Sequence, residues 1–77
     1  MRVLVQNRLT LQYLRDHYRW TRDERQAMDF EKTARAVEHC VRQKLQETQL
    51  VLNFGEDRQL DIMLPVRLPS EITSSNR

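Results

Sequence analysis

The stretch FEKTARAVEHCVRQKLQ, residues 30–46, decides the fold that the sequence predicts. Its apolar residues recur at steps of four, three, four and four, at Phe30, Ala34, Val37, Val41 and Leu45. This spacing puts them on one side of a 3.6-residue period. The stretch therefore predicts one long amphipathic helix.

The remaining residues of this stretch support the same helix. Asp29 precedes it as a predicted N-cap, and Lys44 suits the negative end of the helix dipole. Ala36 and Cys40 widen the apolar stripe on one flank. The side chains predicted to face water are Arg35, Glu38, His39 and Arg42.

Two segments with strand character follow the helix. In residues 49–54 and 59–64 a large apolar residue occupies every second position, which is typical of β-strands. The polar loop Gly55–Arg58 between them contains the only Gly of the chain, so the two segments predict a β-hairpin. Pro65 is expected to end the second strand, because it has no N–H to give to a ladder.

The first 28 residues allow two interpretations. In one, residues 2–6 and 11–15 form strands around a turn at residues 7–10. In the other, Thr10 caps a helix that carries Leu11, Leu14 and Tyr18 on one side. The run Thr21-Arg-Asp-Glu24 resembles a capping box and predicts a short helical turn after either arrangement.

The first interpretation leads to a two-layer α+β fold. An antiparallel sheet made of two β-hairpins packs on one long helix, in the order β-β-α-β-β. The second leads to three helices followed by a C-terminal hairpin. Residues 1–68 are expected to form a single domain, and residues 69–77 are expected to be a disordered tail.

Scattered residues of the chain resemble a group of small bacterial proteins that carry no known activity. The shared residues are Asn7, Thr10, Tyr13, Leu14, Trp20, Thr21, Ala27, Asp29, Phe30, Leu64 and Pro65. The resemblance implies a strand pair before the tryptophan and so favours the β-β-α-β-β order. This chain has Leu11 where the group has a Gly after the Thr.

Composition excludes several classes of function. The chain has 77 residues and a net charge of +2, with one Gly and one Cys. One Gly cannot build a glycine-rich phosphate loop, and one Cys cannot form an internal disulfide or a cysteine-rich zinc site. No apolar run reaches the roughly 18 residues of a membrane span. An unpaired Cys40 suits a reducing compartment, so we expect a cytoplasmic protein without a membrane anchor.

No group of residues suggests catalysis. Glu38, His39 and Cys40 are neighbours in sequence, but successive helical residues point about 100° apart and cannot converge on one substrate. Asp16 and His17 have no nucleophile near them in sequence. The two His and one Cys do not have the spacing of a metal site. We therefore expect a protein that is not an enzyme, with no catalytic residue, metal or cofactor.

The segment of residues 13–22 interleaves aromatic and basic side chains. Such a strip can stack bases and contact phosphates, which makes nucleic-acid binding the alternative function. The residues that would do this are Arg15, Tyr18, Arg19, Trp20 and Arg22. A single Trp in a small domain also commonly packs at the edge of the core, with Arg stems over the apolar surface.

A sheet with one helix leaves one face uncovered, and this predicts an interaction surface. The residues expected beneath the helix are Val3, Val5, Leu11, Tyr13, Leu50, Leu52, Leu60, Ile62 and Leu64. The other face would expose Leu4, Leu14, Val51 and Met63, unless the Trp20 segment or the C-terminal tail folds over it. The predicted function is a small protein-interaction or accessory module that acts through a sheet face or edge. A homodimer or another protein is its expected partner.

Overall fold

The computed structural model describes residues 1–54 and 61–67. The predicted loop Gly55–Arg58, the predicted core residue Leu60 and the predicted tail 69–77 lie outside these residues. The described residues form a five-stranded antiparallel sheet and one α-helix, so the α+β prediction is confirmed and the three-helix alternative is wrong. In chain order the elements are β1 (Arg2–Asn7), β2 (Tyr13–Leu14), β3 (Trp20–Thr21), a 3-10 turn (Glu24–Gln26), α1 (Thr33–Arg42), β4 (Thr48–Asn53) and β5 (Ile62–Pro65).

The centre of the sheet is the antiparallel pair of β1 and β4. The strand order is β3-β2-β1-β4-β5, and β1 pairs with β4 along its whole length, from Arg2 opposite Asn53 to Asn7 opposite Thr48. The side chains that face α1 define the helix face of the sheet. The core on that face contains Val3, Val5, Leu14, Leu50 and Leu52 together with Ala36 and Cys40 of the helix.

The helix is shorter than predicted and lies in a different rotation. It spans ten residues and buries Ala36, His39 and Cys40, whereas Ala34 and Val37 are exposed. The predicted solvent-facing position of His39 is therefore wrong. The predicted stripe began at Phe30, which lies before the first helical residue, and the small side chains of Ala36 and Cys40 let the helix pack closely on the sheet.

Asp29 holds the connection into the helix instead of capping it. Its Oδ1 accepts hydrogen bonds from the backbone N–H of Val3 (2.9 Å) and of Glu31 (2.8 Å). Partial burial raises the pKa of this carboxyl, but the two hydrogen bonds and the charge of Arg2 outweigh burial and leave it lowered. The N-cap is Lys32, whose side chain makes no capping bond. Asp29 thus ties the chain before the helix to β1.

A Schellman motif without glycine ends the helix. The Leu45 N–H donates to the Cys40 carbonyl (2.9 Å), and the Lys44 N–H donates to the Val41 carbonyl (3.1 Å). Lys44 occupies the left-handed position of this motif, with φ at 55°. Leu45 packs against the core of the helix face, so the chain turns directly into β4.

The turn between β1 and β2 explains an error in the predicted faces. Gln6 pairs with Tyr13, so Tyr13 shares the face of Gln6 and Leu14 shares the face of Val5. This is the reverse of the prediction, because a one-residue slip moves every side chain of a strand to the other face. Leu11, predicted in the core, is exposed in this turn with φ at 64°.

The face opposite the helix, the second face, is covered by the segment of residues 21–27. Leu4, Val51 and Ala27 form a buried cluster there, with Tyr13 packed against it. The Arg2 guanidinium donates to the carbonyls of Glu24 and Ala27 and fastens the segment to β1. Within the described part of the chain, no helix is long and apolar enough to cross a membrane.

Candidate interaction surfaces

Only one residue of the patch predicted on the second face is exposed in the structure. Leu4 and Val51 are buried under the segment of residues 21–27, and Leu14 is buried on the helix face. The predicted exposure of these three side chains is therefore wrong. Met63 is 55% exposed, as expected, and it belongs to the outermost strand, β5.

Strand β5 is exposed along its whole length. Ile62, Met63 and Leu64 expose 47%, 55% and 40% of their surface, and Pro65 is exposed as well. Ile62 and Leu64 were expected beneath the helix, but α1 packs mainly on β1 and β4 and leaves both side chains exposed. Apolar side chains are thus exposed on both sides of this strand.

The hydrogen bonds of β5 show which backbone groups point outward. The Val66 N–H donates to the Thr48 carbonyl (3.1 Å), so Pro65 and Gln49 form a non-hydrogen-bonded pair. By alternation, Ile62 and Leu64 direct their N–H and C=O groups to β4, whereas Met63 and Pro65 direct theirs away from the sheet. We call this outward side, with its flanking residues 61 and 67, the β5 edge. The Pro65 nitrogen points away from β4, so its missing N–H removes no hydrogen bond between β4 and β5.

The opposite edge of the sheet is short and carries charge. Strand β3 has only two residues, Trp20 and Thr21, and both are half-buried. Asp16 closes the preceding turn by accepting from the N–H groups of Tyr18 and Arg19 and by pairing with the Arg19 guanidinium at 2.7 Å. These bonds lower the pKa of Asp16 to about 2. We call this the β3 edge.

The aromatic and basic strip of residues 13–22 does not form one surface. Arg15, Tyr18, Arg19 and Arg22 are exposed, but Trp20 packs against the core of the helix face. The Asp16 carboxylate lies among the arginines and pairs with one of them. Nucleic-acid binding by this strip stays a prediction, and Trp20 has only part of its surface available for stacking.

Three rings that the sequence did not bring together meet beside the helix. His39 lies between His17 and Phe30, with ring centroids 5.4 Å from each. Its Nε2 is buried and has no hydrogen-bond partner among the described residues. Burial, and then the charges of His17 and Arg42, lower the pKa of His39. The pairing was not foreseeable because it depends on the rotation of the helix.

Cys40 is not activated for chemistry. Its side chain is fully buried, and burial raises the pKa of the thiol. The Thr48 side chain lies beside the thiol and offsets part of this rise in pKa. The Thr48 hydroxyl itself makes no hydrogen bond to the described residues. Across residues 1–54 and 61–67, no three His, Cys, Asp or Glu side chains lie close enough together to hold a metal ion.

Comparison with known proteins adds no relative. The chain matches no protein-family model, no curated protein and no solved structure. The resemblance to the small bacterial group stays a prediction.

Proposed function

We propose that this protein is a small non-catalytic interaction module that binds a protein partner by strand addition at the β5 edge. The observation that carries this proposal is the exposure of β5, where three large apolar residues lie on an outer strand. An exposed apolar edge strand is a template for pairing with another chain, because its outward N–H and C=O groups lack partners in the sheet.

The contrast with common protective devices supports this function. Folded proteins blunt sheet edges with very short strands, charged side chains, prolines, bulges or covering segments. The first three residues of β5 carry no charge, and α1 packs mainly on β1 and β4. Pro65 removes one donor from the edge, but Met63 keeps both its N–H and its C=O directed outward. The edge therefore retains the groups that strand addition uses.

The state of the reactive side chains agrees with a non-catalytic role. The thiol of Cys40 is buried with a raised pKa, which works against its use as a nucleophile. We also propose a cytoplasmic setting, because a free cysteine suits a reducing compartment.

Site-specific photocrosslinking in cells tests the proposed function. A chain with Met63→p-benzoylphenylalanine is expected to form protein adducts on irradiation. The matched control is Leu9→p-benzoylphenylalanine, since Leu9 is 75% exposed but lies in the turn between β1 and β2. Adding Ile62→Lys to the first chain should abolish its adducts. Equal adducts from both positions, or none from position 63, would contradict binding at the β5 edge.

A further inference from the structure

We infer that the β5 edge binds a second copy of the same chain, in an antiparallel pair whose two-fold axis passes beside Leu64. This inference rests on the proposed function above and names its partner. When residues 61–67 of two copies run antiparallel to each other, their outward backbone groups and their side chains are complementary.

The backbone groups of this segment fit their own symmetry mate. With Leu64 opposite Leu64 of the second copy, Met63 lies opposite Pro65, and Asp61 lies opposite Arg67. The outward N–H of Met63 can then donate to the Pro65 carbonyl, which is the only group that Pro65 offers. The missing N–H of Pro65 is the only gap in this ladder, and it occurs once in each half.

The side chains of the segment also match in this register. On the helix side of the strand, Leu64 meets its own copy and Ile62 meets Val66. These are exposed or half-buried apolar side chains in one chain alone. Pairing them across the axis removes apolar surface from water on the side that α1 leaves open.

Charge complementarity selects this register over its neighbours. Asp61 and Arg67 lie on the same side of the strand as Met63, and the register places each carboxylate directly opposite a guanidinium, twice per dimer. Asp61 is held in position by the Asn53 side-chain amide, which donates to both of its oxygens at 3.1 and 3.3 Å. A register centred on Met63 would instead put Asp61 opposite Pro65 and leave both charges without a partner across the pair.

A cysteine scan of the purified full chain tests the register. Leu64→Cys should form a disulfide-linked dimer rapidly under mild oxidation, because opposite residues of a non-hydrogen-bonded pair have Cα atoms about 4.5 Å apart. Met63→Cys should cross-link much more slowly, since its own copy is two residues away. Cys40 is buried and stays reduced in both variants. Faster cross-linking of Met63→Cys would overturn the register.

Charge reversal tests the partner independently of disulfide chemistry. Asp61→Arg should raise the dimer dissociation constant at least about tenfold, because it replaces two attractive pairs with two repulsive ones. Arg67→Asp should do the same, and the double variant Asp61→Arg/Arg67→Asp should restore the wild-type constant in sedimentation equilibrium. Failure of the rescue would overturn the pairing of Asp61 with Arg67.

The two proposals can fail separately. A monomer at high micromolar concentration, together with cellular adducts at position 63 that contain a different protein, would overturn the second copy and leave strand addition in place. A monomer with no adducts at position 63 would overturn both.

Discussion

The two outer strands of the sheet differ in length, exposure and charge. Strand β3 has two half-buried residues and a charged turn closed by Asp16, whereas β5 has four exposed residues, three of them large and apolar. Both strands have backbone groups that point outward. Shortness and charge are devices that protect the β3 edge, whereas the β5 edge is the one that we propose for binding.

The largest expected effect is a loss of stability on mutating the covered centre of the sheet, which a matching mutation at the β5 edge should not cause. Leu4→Ala should lower the free energy of unfolding by about 2–5 kcal/mol, because Leu4 is 0% exposed beneath the segment of residues 21–27. Met63→Ala, on the same face but on β5, should change it by less than about 0.5 kcal/mol. Urea denaturation at low protein concentration measures both. Equal losses would contradict the covered second face.

Acid is expected to lower the stability of the fold through His39, which packs against His17 in the turn before β3. His39 has a lowered pKa in the folded state, so the unfolded chain binds more protons below the ordinary histidine pKa of about 6.5. The stability contributed by neutral His39 is therefore present above that pH and is lost as the pH falls below it. His17 in the turn before β3 faces the same ring, and Arg42 adds positive charge.

Thermal unfolding between pH 4.5 and 8 tests this dependence. His39→Phe should flatten the profile, because it removes the buried titrating group, and His17→Gln should flatten it only in part. A profile that stays unchanged in His39→Phe would show that His39 is not its source.

Two glycine substitutions should stabilise the fold without changing either edge. Leu11 and Lys44 are exposed residues with positive φ, at 64° and 55°. Leu11→Gly and Lys44→Gly should each raise the free energy of unfolding by about 0.5–1 kcal/mol, since a side chain in the left-handed region is costly. Alanine at the same positions serves as the control, because it keeps the Cβ atom. A larger gain from alanine than from glycine would contradict the left-handed conformation.

The smallest expected effect concerns the aromatic and basic strip. Trp20 packs against the core, so adding a single-stranded oligonucleotide at low salt should change its fluorescence very little. Strong quenching that weakens as salt is added would instead support nucleic-acid binding at the β3 side. Arg15→Ala, at an exposed position, provides the matched test of any quenching that is seen.

Sequence periodicity predicted the fold class and the faces of β1 and β4, but not those of β2 and α1. The alternation in residues 49–54 and the order of the elements were enough for the α+β class. The position of Leu14 was not predictable, because the faces of β2 depend on how many residues the preceding turn uses. The rotation of α1 was missed for a similar reason, since Asp29 bonds to β1 and delays the start of the helix to Thr33.

The candidate edge was predicted only in part. Met63 was expected to be exposed, and it is. Ile62 and Leu64 were assigned to the core because their alternation puts them on the face that the helix covers, but with a ten-residue helix they are 47% and 40% exposed. Sequence alone could not give the length of α1, because its first residue is determined by a hydrogen bond between distant residues.

Amide hydrogen exchange at the two edges tests the central claim most directly. The Met63 N–H points outward from β5, and the Trp20 N–H points outward from β3, since the Arg15 N–H donates to the Arg19 carbonyl and makes Leu14 and Trp20 a non-hydrogen-bonded pair. Raising the protein from low to high micromolar concentration should slow exchange at Met63 and leave Trp20 unchanged. Concentration-independent exchange at Met63, or slowing at Trp20 instead, would contradict the account.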